Sequence, residues 1–375
     1  MNSIIYFDNA ATSRNKPKEV LESYIDYINR IGVSPGRGSY SLAIHASRML
    51  YQSRKAIADF FGLNNNNVVF SKNSTEAMNM FFSGFLNQGD CVLLSPYEHN
   101  SVLRPINNLK QKGIINYKIL PELVFYNPQE ILKFITPDTK LIAITLASNL
   151  TGEIIYNREI GKICRDQGIS VFVDASQGGG KKIIDMSRDY VDFLAFTGHK
   201  DLLGLPGVGG LCSIKKFDFP PLIQGGTGVH GESYLNPDIY PDAYEAGTLN
   251  MPAIWALKNA IEYLNVSISD ILIKEKKLTC YLEEGLLSNN NIILYKPNVN
   301  RISTLCFNVL GHLSSDVISI LDKNDIYVRG GLHCAILAHK QLGTVETGAI
   351  RVSLNYTNTF EEIDRFLTVL RGISK

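Results

Sequence analysis

The sequence has no apolar run long enough to cross a bilayer, and residues 1–9 lack the basic region and apolar stretch of a secretory signal. It also has little net charge, because 37 Lys and Arg residues nearly balance 36 Asp and Glu residues and leave a formal charge of +1. No global field would therefore attract nucleic acid or an acidic membrane surface. We expect a cytoplasmic protein with neither partner, in which any anion site is local.

Paired cysteines are also missing. The chain has six cysteines, and no two of them form a CxxC motif: Cys91, Cys164, Cys212, Cys280, Cys306 and Cys334. This spacing argues against a disulfide framework and against a zinc site. We expect free thiols, most of them buried as small hydrophobic side chains.

Two common nucleotide-binding motifs are absent as well. No GxGxxG follows a strand near the start of the chain, so the dinucleotide fingerprint is missing. The stretch GGGKK at residues 178–182 is not a phosphate-binding P-loop, because Ala175 occupies the position of the required glycine and Lys182 that of the Ser or Thr. We interpret it as a flexible turn.

The 375 residues are 45% hydrophobic and 19% charged, which is typical of a globular chain with a sizeable core and two or three domains. Short apolar runs alternate with amphipathic stretches, as in a doubly wound sheet. The predicted strands are 68–71, 91–95, 141–147, 170–174, 192–197 and 209–214, and the predicted helices between them include 75–86, 101–112 and 158–167.

A Gly- and Pro-rich passage at residues 220–252 interrupts this alternation and marks a plausible boundary. Beyond it we predict a smaller α+β unit. Its predicted elements are helices at 253–264, 269–287, 315–324 and 360–372, strands at 304–310 and 349–354, and a loop at 329–347.

Polar residues follow several predicted strands, where an open α/β sheet binds ligands. Asp174 ends one strand, and Lys200 comes just after another. Taken alone, each is more often structural, but together they supply the amine and the carboxylate that a pyridoxal phosphate site needs. The helix start at 73–76 could bind the phosphate or could be an ordinary N-cap. His99 could cover a ring, although a histidine at a strand end is more often a surface residue.

Ten ordered stretches then show a family resemblance. They are YFDNAATS (6–13), NSTEAMN (73–79), EHNS (98–101), SNLTG (148–152), VDASQ (173–177), DFLAFTGHK (192–200), GVGGL (207–211), YEAGTLN (244–250), RGGLHCA (329–335) and IRVSL (350–354). The chain resembles class V aminotransferase-fold enzymes of the cysteine desulfurase and selenocysteine lyase group. The resemblance implies the α/β fold type I of pyridoxal phosphate-dependent transferases. In that fold a large, doubly wound, mostly parallel sheet domain (15–250) is joined by a smaller α+β domain (1–14 and 251–375).

The resemblance also assigns the cofactor site. Lys200 would bind pyridoxal phosphate covalently and move the Cα proton, while Asp174 would pair with the pyridinium nitrogen. The remaining cofactor residues would be Gln177 at the ring hydroxyl, His99 over the ring face, Asn149 beside the ring, and Ser74, Thr75, Thr197 and His199 at the phosphate. Thr248 would reach the phosphate of a neighbouring protomer, which implies a homodimer.

The substrate residues follow from the same resemblance. Arg351 would bind the substrate carboxylate, a task suited to a planar two-pronged donor. Asn149, Ala10, Ala11 and Arg329 would border the substrate.

Cys334 decides the chemistry in such enzymes. It lies in no predicted helix or strand, and the adjacent His333 with Arg329 could favour its thiolate. The resemblance implies that Cys334 takes the sulfur of L-cysteine as a persulfide and leaves L-alanine, while the two glycines before it let the loop swing. The short cysteine loop looks like the type II group, which passes sulfur to an acceptor protein.

Several alternatives remain open. The enzyme could instead be a selenocysteine lyase acting on L-selenocysteine, a class V aminotransferase or a C–S lyase, or the chain could be a catalytically silent sulfur-relay or regulatory module. Leu332, Leu337, Gly36 and Tyr40 depart from the residues of relatives with the short loop. These departures leave the substrate preference and the acceptor undecided.

Overall fold

The computed structural model describes residues 4–36, 38–64, 66–229 and 231–373. Their α-helices are α1 (Lys18–Asp26), α2 (Ser41–Phe60), α3 (Ser74–Phe85), α4 (Asn100–Gln111), α5 (Leu123–Tyr126), α6 (Arg158–Asp166), α7 (Met251–Leu287), α8 (Ser314–Asp322), α9 (Ile336–Leu342) and α10 (Phe360–Ile373). A π-helical turn (Tyr27–Ile31) follows α1, and short 3₁₀ helices lie at Pro128–Lys133 and Asp242–Tyr244. Within the described ranges, no helix is both long and apolar enough to cross a membrane.

The described strands are β1 (Ile5–Tyr6), β2 (Val68–Ser71), β3 (Cys91–Leu94), β4 (Asn116–Ile119), β5 (Thr139–Thr145), β6 (Ser170–Asp174), β7 (Phe193–Thr197), β8 (Gly209–Ser213), β9 (Ile292–Leu294), β10 (Thr304–Val309), β11 (Ile326–Tyr327), β12 (Arg329–Gly331) and β13 (Ala349–Ser353). All six strands predicted between residues 68 and 214 are present, with ends shifted by up to two residues. The exposed strand β4 was not predicted, because its side chains show no apolar run.

The larger sheet has the strand order β2-β8-β7-β6-β5-β3-β4 over the described residues. β8 is antiparallel to both of its neighbours, and the pairs among β7, β6, β5, β3 and β4 are parallel. Alternate side chains of one strand enter different hydrophobic clusters: Ile142 and Ile144 pack with α2, α6 and α7, whereas Leu141 and Ala143 pack with α3 and α4. Helices therefore cover both faces, which confirms the doubly wound, mostly parallel sheet.

A second, antiparallel sheet has the order β12-β13-β10-β9 among the described strands. Its core includes Leu305 and Ile350, and it also takes in Ile5 and Phe7 from the start of the chain. β1 pairs in parallel with β11, so the N-terminal strand joins the C-terminal part of the fold. The division at residues 14/15 and 250/251 stays a prediction.

One predicted break in the chain is wrong. The helices predicted at 253–264 and 269–287 form a single 37-residue helix, α7. The residues between them contain neither Gly nor Pro, so every backbone N–H can continue the helical ladder. The first half of α7 packs through Leu257 and Ile261 against the large sheet's cluster, and the second half through Leu282 and Leu286 against the smaller one.

The loop predicted at 329–347 is wrong as well, because it contains β12 and α9. β12 is too short for a periodic signal and forms only because it pairs with β13, Gly331 opposite Ala349. Helix α9 ends at Leu342, where Gly343 takes the left-handed conformation with φ +69°. Cys334 therefore lies in a tight turn between a strand and a helix rather than in a long loop.

Candidate active site

A cavity of about 130 Å³ opens where β5, β6 and β7 of the larger sheet end. This is the edge at which parallel α/β sheets bind ligands. Its lining residues are Asn73, Ser74, Thr75, His99, Ser101, Thr145, Asn149, Asp174, Ser176, Gln177, Thr197, His199 and Lys200. All the predicted cofactor residues except Thr248 meet here.

Lys200 and Asp174 provide the amine and the carboxylate of the cavity. Asp174 is the last residue of β6 and is 3% exposed, and Lys200 follows β7 after a two-residue turn. Burial lowers the pKa of Lys200, while the charge of Asp174 opposes that effect. Burial raises the pKa of Asp174, opposed by hydrogen bonds from Ser176, whose backbone N–H lies 2.9 Å from Oδ1. The arrangement favours a nucleophilic amine beside a carboxylate.

His99 lies directly before α4 and caps that helix. Its Nδ1 accepts a hydrogen bond from the backbone N–H of Ser101 at 3.1 Å, which leaves the ring proton on Nε2. Burial, together with the charge of Lys200, lowers the pKa of His99 to about 4. The ring is therefore neutral at neutral pH and suited to lie against an aromatic ligand.

The N-terminus of α3 forms the side of the cavity at which the sequence predicts the phosphate. Asn73 caps the helix, since its Oδ1 accepts from the backbone N–H of Glu76 at 2.9 Å. Gly209 of β8 lets this turn approach closely, because a Cβ there would lie 2.7 Å from the carbonyl carbon of Asn73. The helix dipole and free N–H groups favour an anion beside Ser74 and Thr75.

Buried polar atoms at the cavity that have no hydrogen-bond partner among the described residues include Gln177 Oε1, Thr197 Oγ1 and His199 Nδ1. Buried polar groups are normally satisfied, and leaving one unpaired costs about 1–3 kcal/mol. Burial also lowers the pKa of His199 to about 4, so its ring is neutral. A ligand with a hydroxyl and a phosphate would satisfy these atoms, and the residues present therefore fit pyridoxal phosphate.

Residues 8–16, which we call the N-terminal strap, run along this site. Gln177 Nε2 donates to the carbonyl oxygen of Ala10 at 2.7 Å. The carbonyl oxygen of His199 accepts from Ser13 Oγ at 3.1 Å and from Lys16 Nζ at 2.8 Å. The strap thus fixes both the predicted ring contact and the backbone next to Lys200. Ala11, half-buried, lies within it.

Arg351 and Arg329 lie on adjacent strands, directly opposite each other across β13 and β12. Arg329 is exposed, whereas Arg351 is 1% exposed. Arg351 Nη1 donates to the carbonyl oxygen of Asn149 at 3.0 Å, and Nη2 lies 2.5 Å from Asp8 Oδ1. Neither arginine is among the described residues that line the cavity, but the contact with Asn149 places Arg351 at the edge of the cavity.

The turn that carries Cys334 is tied to the cavity at two points. Asn149 Nδ2 donates to the carbonyl oxygen of His333 at 2.8 Å, and the backbone N–H of Asn100 donates to that of Cys334 at 2.9 Å. His333 and Cys334 both have positive φ, +49° and +55°, a conformation that costs a non-glycine residue about 1–3 kcal/mol. The backbone that carries the exposed Cys334 is therefore held by two hydrogen bonds in this structure, and the swing of the loop stays a prediction.

The expectation that His333 supplies positive charge to Cys334 is wrong. His333 is 4% exposed, and burial lowers its pKa to about 3. Its Nε2 lies 3.0 Å from the carbonyl oxygen of Ala349, an acceptor that requires the ring proton on Nε2. The ring is neutral and has a structural role.

Four of the six cysteines are buried, as predicted, but Cys280 and Cys334 are exposed. Burial raises the pKa of Cys164 and Cys306 to about 12, so those thiols stay protonated. Cys280 was expected to be buried. It lies on α7 beside a surface groove of about 450 Å³, because the helix turns this side away from the core.

Thr248 lies outside the Lys200 cavity. It is exposed and lines a different cavity of about 390 Å³ together with Lys72 and Gly207. The preceding Glu245 holds this segment in place through a buried ion pair with Arg54 at 2.7 Å. The assignment of Thr248 to a neighbouring protomer's phosphate stays a prediction.

Several residues at the site were not among the predicted site residues, and Asp8, Lys16 and Glu98 are three of them. Asp8 and Glu98 stand inside the stretches YFDNAATS and EHNS, so the motifs pointed to them without indicating what they do. Lys16 contacts the His199 carbonyl, and its burial lowers its pKa to about 8. None of these contacts has a signal in local periodicity.

The fold and the cavity together define a class. The family model for aminotransferase class-V matches residues 5–366. The chain therefore belongs to the aminotransferase class-V family.

Within that class, several similar proteins are named as cysteine desulfurases. A probable cysteine desulfurase of Methanothermobacter thermautotrophicus is 35% identical, covering 99% of this chain and 94% of the relative. Another, from Pyrococcus abyssi, is 34% identical with the same coverage. The apo structure of a cysteine desulfurase from Thermococcus onnurineus NA1 superimposes with a TM-score of 0.91 at 33% identity, covering 99% of this chain and 94% of that one. The chain is thus a member of the cysteine desulfurase family.

Proposed function

We propose that the protein is a pyridoxal phosphate-dependent cysteine desulfurase that converts L-cysteine to L-alanine and holds the sulfur on Cys334 as a persulfide. The observation that carries this proposal is the anchored turn of Cys334. It places an exposed thiol on a backbone bonded to Asn149 of the cavity and to the start of α4 beside His99. An aminotransferase has no use for such a thiol.

The cavity residues would hold the cofactor as their chemistry suggests. Lys200 would bind it through Nζ, Asp174 would face the ring nitrogen, and Gln177 would bond the ring hydroxyl. Ser74, Thr75, Thr197 and His199 would surround the phosphate, with His99 against the ring and Asn149 beside it. Pyridoxal phosphate, when bound, supplies an electron sink for the pair left at Cα when its proton is removed.

The chain's own residues would move protons and sulfur. Lys200 Nζ, with its pKa lowered by burial, takes the Cα proton of the substrate. Cys334 Sγ attacks the substrate sulfur, so that an S–S bond forms and the Cβ–S bond breaks. Cβ gains a proton and becomes the methyl group of alanine. The sulfur is oxidised while Cβ is reduced, and no external oxidant is needed.

Cys280 offers a matched control for the test, because it is the other exposed cysteine among the described residues. Alanine and persulfide should form from L-cysteine with the wild type and with Cys280→Ala, whereas Cys334→Ala should lose persulfide formation. Ellman's reagent should titrate two fast thiols in the native wild type and one in either variant. Persulfide formation by Cys334→Ala at the wild-type rate would refute the assignment of the nucleophile.

Selenocysteine lyase activity is the nearest alternative within the same site. It requires the same cofactor residues but depends less on a cysteine nucleophile, because selenium leaves more readily. Turnover of L-selenocysteine by Cys334→Ala, with L-cysteine inert, would favour that alternative. Incubation with L-alanine and a 2-oxo acid as the amino acceptor, with pyruvate as the measured product, would detect an aminotransferase.

We also propose a cytoplasmic homodimer that passes its sulfur to an acceptor protein. The segment around Thr248 supports the dimer, because Leu222 and Ile223 of the same cavity are exposed apolar residues, as are Tyr234 and Leu235 nearby in the chain. Thr248→Ala should weaken cofactor binding without altering the mass in solution. A monomeric protein by light scattering would refute this arrangement.

A further inference from the structure

Arg351, which we call the clamp because it is predicted to bind the substrate carboxylate, already forms an ion pair with a carboxylate of the protein. Arg351 Nη2 lies 2.5 Å from Oδ1 of Asp8, a residue of the N-terminal strap. The side chain of Arg351 is 2% exposed and that of Asp8 is 19% exposed. A nearly buried guanidinium is thus paired with a carboxylate that solvent can still reach.

The charges around this pair explain why a carboxylate is needed there. Arg329 stands directly opposite Arg351 on the neighbouring strand, and like charges across strands destabilise each other. The neutral ring of His333 neither adds to this positive charge nor offsets it. Asp8 therefore offsets a local excess of positive charge whenever no other anion is present.

Asp8 also has a backbone that stays in place if its side chain turns away. Its carbonyl oxygen accepts from Tyr6 Oη at 3.1 Å and from the backbone N–H of Ala11 at 3.0 Å. The residue forms a bridge with Ser353 of β13. Rotation about Cα–Cβ alone would release the carboxylate into solvent without moving the strap.

We propose that Asp8 is a specificity-determining residue whose carboxylate occupies Arg351 until the α-carboxylate of an amino acid replaces it. The proposal rests on the proposed function, in which Arg351 binds the substrate carboxylate. Asp8 then raises the Kd of every carboxylate ligand, substrate and product alike, and it favours release of alanine. Asp8 does not compete with a ligand that has no carboxylate.

Calorimetry with three ligands tests the proposal on both the cofactor-loaded and the cofactor-free protein. Propionate has a carboxylate and no amine, L-alanine has both, and cysteamine has no carboxylate. Asp8→Asn, which keeps a hydrogen-bond acceptor but loses the charge, should lower the Kd of propionate and L-alanine about three- to tenfold, as expected for removal of a partly exposed competing charge. The Kd of cysteamine should not change, and Asp8→Glu should retain the wild-type values.

The controls separate this proposal from a loss of folding. Melting curves should show that Asp8→Asn is folded, and Asp8→Ser, which also lacks the charge, should tighten propionate in the same direction. An unchanged or higher Kd for propionate in both neutral variants would overturn the role of Asp8. If Arg351→Gln leaves propionate binding unaltered, the clamp assignment fails and the role of Asp8 fails with it. Alanine formation from cysteine is measured separately, so its absence would count against the proposed function alone.

Discussion

Glu98 Oε1 accepts a hydrogen bond from the backbone N–H of Thr145 at 2.7 Å, and Thr145 is the strand-register partner of Asp174. Ser95 Oγ donates to the same oxygen at 2.5 Å, while Oε2 is buried and has no partner among the described residues. Burial, with a contribution from the charge of Asp174, raises the pKa of Glu98 to about 8. This carboxyl is therefore mostly protonated at neutral pH. It bonds to the end of β5, the strand next to the one that ends at Asp174.

Replacing Glu98 by glutamine should change stability in a pH-dependent way. The folded-state pKa lies above the ordinary value of 4.5 for a glutamate, so the unfolded chain loses this proton first as the pH rises. The wild type should lose stability between about pH 4.5 and 8, with a slope of up to about 1.4 kcal/mol per pH unit from this group. Glu98→Gln cannot ionise and should lack that contribution.

Urea denaturation at pH 5, 7 and 9 checks this expectation. At pH 5 the two proteins should differ by about 1 kcal/mol or less, because the glutamine oxygen can accept from both Ser95 and Thr145. At pH 9 Glu98→Gln should be the more stable protein. A constant difference across the three pH values would contradict the buried protonated carboxyl. Glu98→Ala, which loses the acceptor, should be less stable than Glu98→Gln at all three.

The parts of the fold that the sequence predicts are those with local periodicity. The strands from residue 68 to 214 are buried on both faces, so their continuous apolar runs can be recognised in the sequence without knowing which strands lie beside them. The cofactor residues share this advantage, because Asp174 and Lys200 follow such strands directly. The cavity that gathers them could thus be anticipated from strand ends.

The remaining features depend on contacts between distant residues. Asp8 and Arg351 are 343 positions apart, and nothing near either residue indicates the other. β12 forms because β13 lies beside it. Cys280 is exposed because it lies on the side of α7 that faces away from the core. Such contacts are decided by tertiary packing, which local propensity does not determine.

The neutral ring of His333 leads to a prediction about Cys334. In a Cys280→Ala background, alkylation of the native protein by iodoacetamide reports on Cys334. His333→Gln keeps a donor for the Ala349 carbonyl and should change the alkylation rate at pH 7 by less than about twofold. A charged imidazolium next to a thiol would instead raise its thiolate fraction about tenfold for each unit of pKa.

The pH profile gives a second readout for the same pair of proteins. Because burial lowers the pKa of His333 to about 3, its ring should cause no step in the alkylation rate between pH 5 and 8. The protein with His333 and the His333→Gln variant should therefore give the same pH profile. A step near pH 6.5 that disappears in His333→Gln would mean that the imidazole titrates beside the nucleophile. It would contradict the structural role assigned to His333.

The buried pair of Arg54 and Glu245 should be the main support of the segment that carries Thr248. The guanidinium contacts both carboxylate oxygens, at 2.7 and 2.9 Å, and the backbone N–H of Phe70 donates to Glu245 Oε1 at 2.7 Å. Arg54 is 6% and Glu245 is 8% exposed. Arg54→Met should cost about 3–5 kcal/mol in the free energy of unfolding, because it leaves a buried carboxylate without its cation.

A double-mutant cycle measured by urea denaturation separates this cause from lost packing. Glu245→Gln removes the charge and keeps an acceptor for Phe70, so Arg54→Met combined with Glu245→Gln should be more stable than Arg54→Met alone. Lys55→Met is the matched control, since Lys55 pairs with Asp59 on the exposed side of the same helix and should leave the midpoint unchanged. If the two single losses simply add, the cost arises from the cavity left by the arginine side chain, and the ion pair does not hold the Thr248 segment in place.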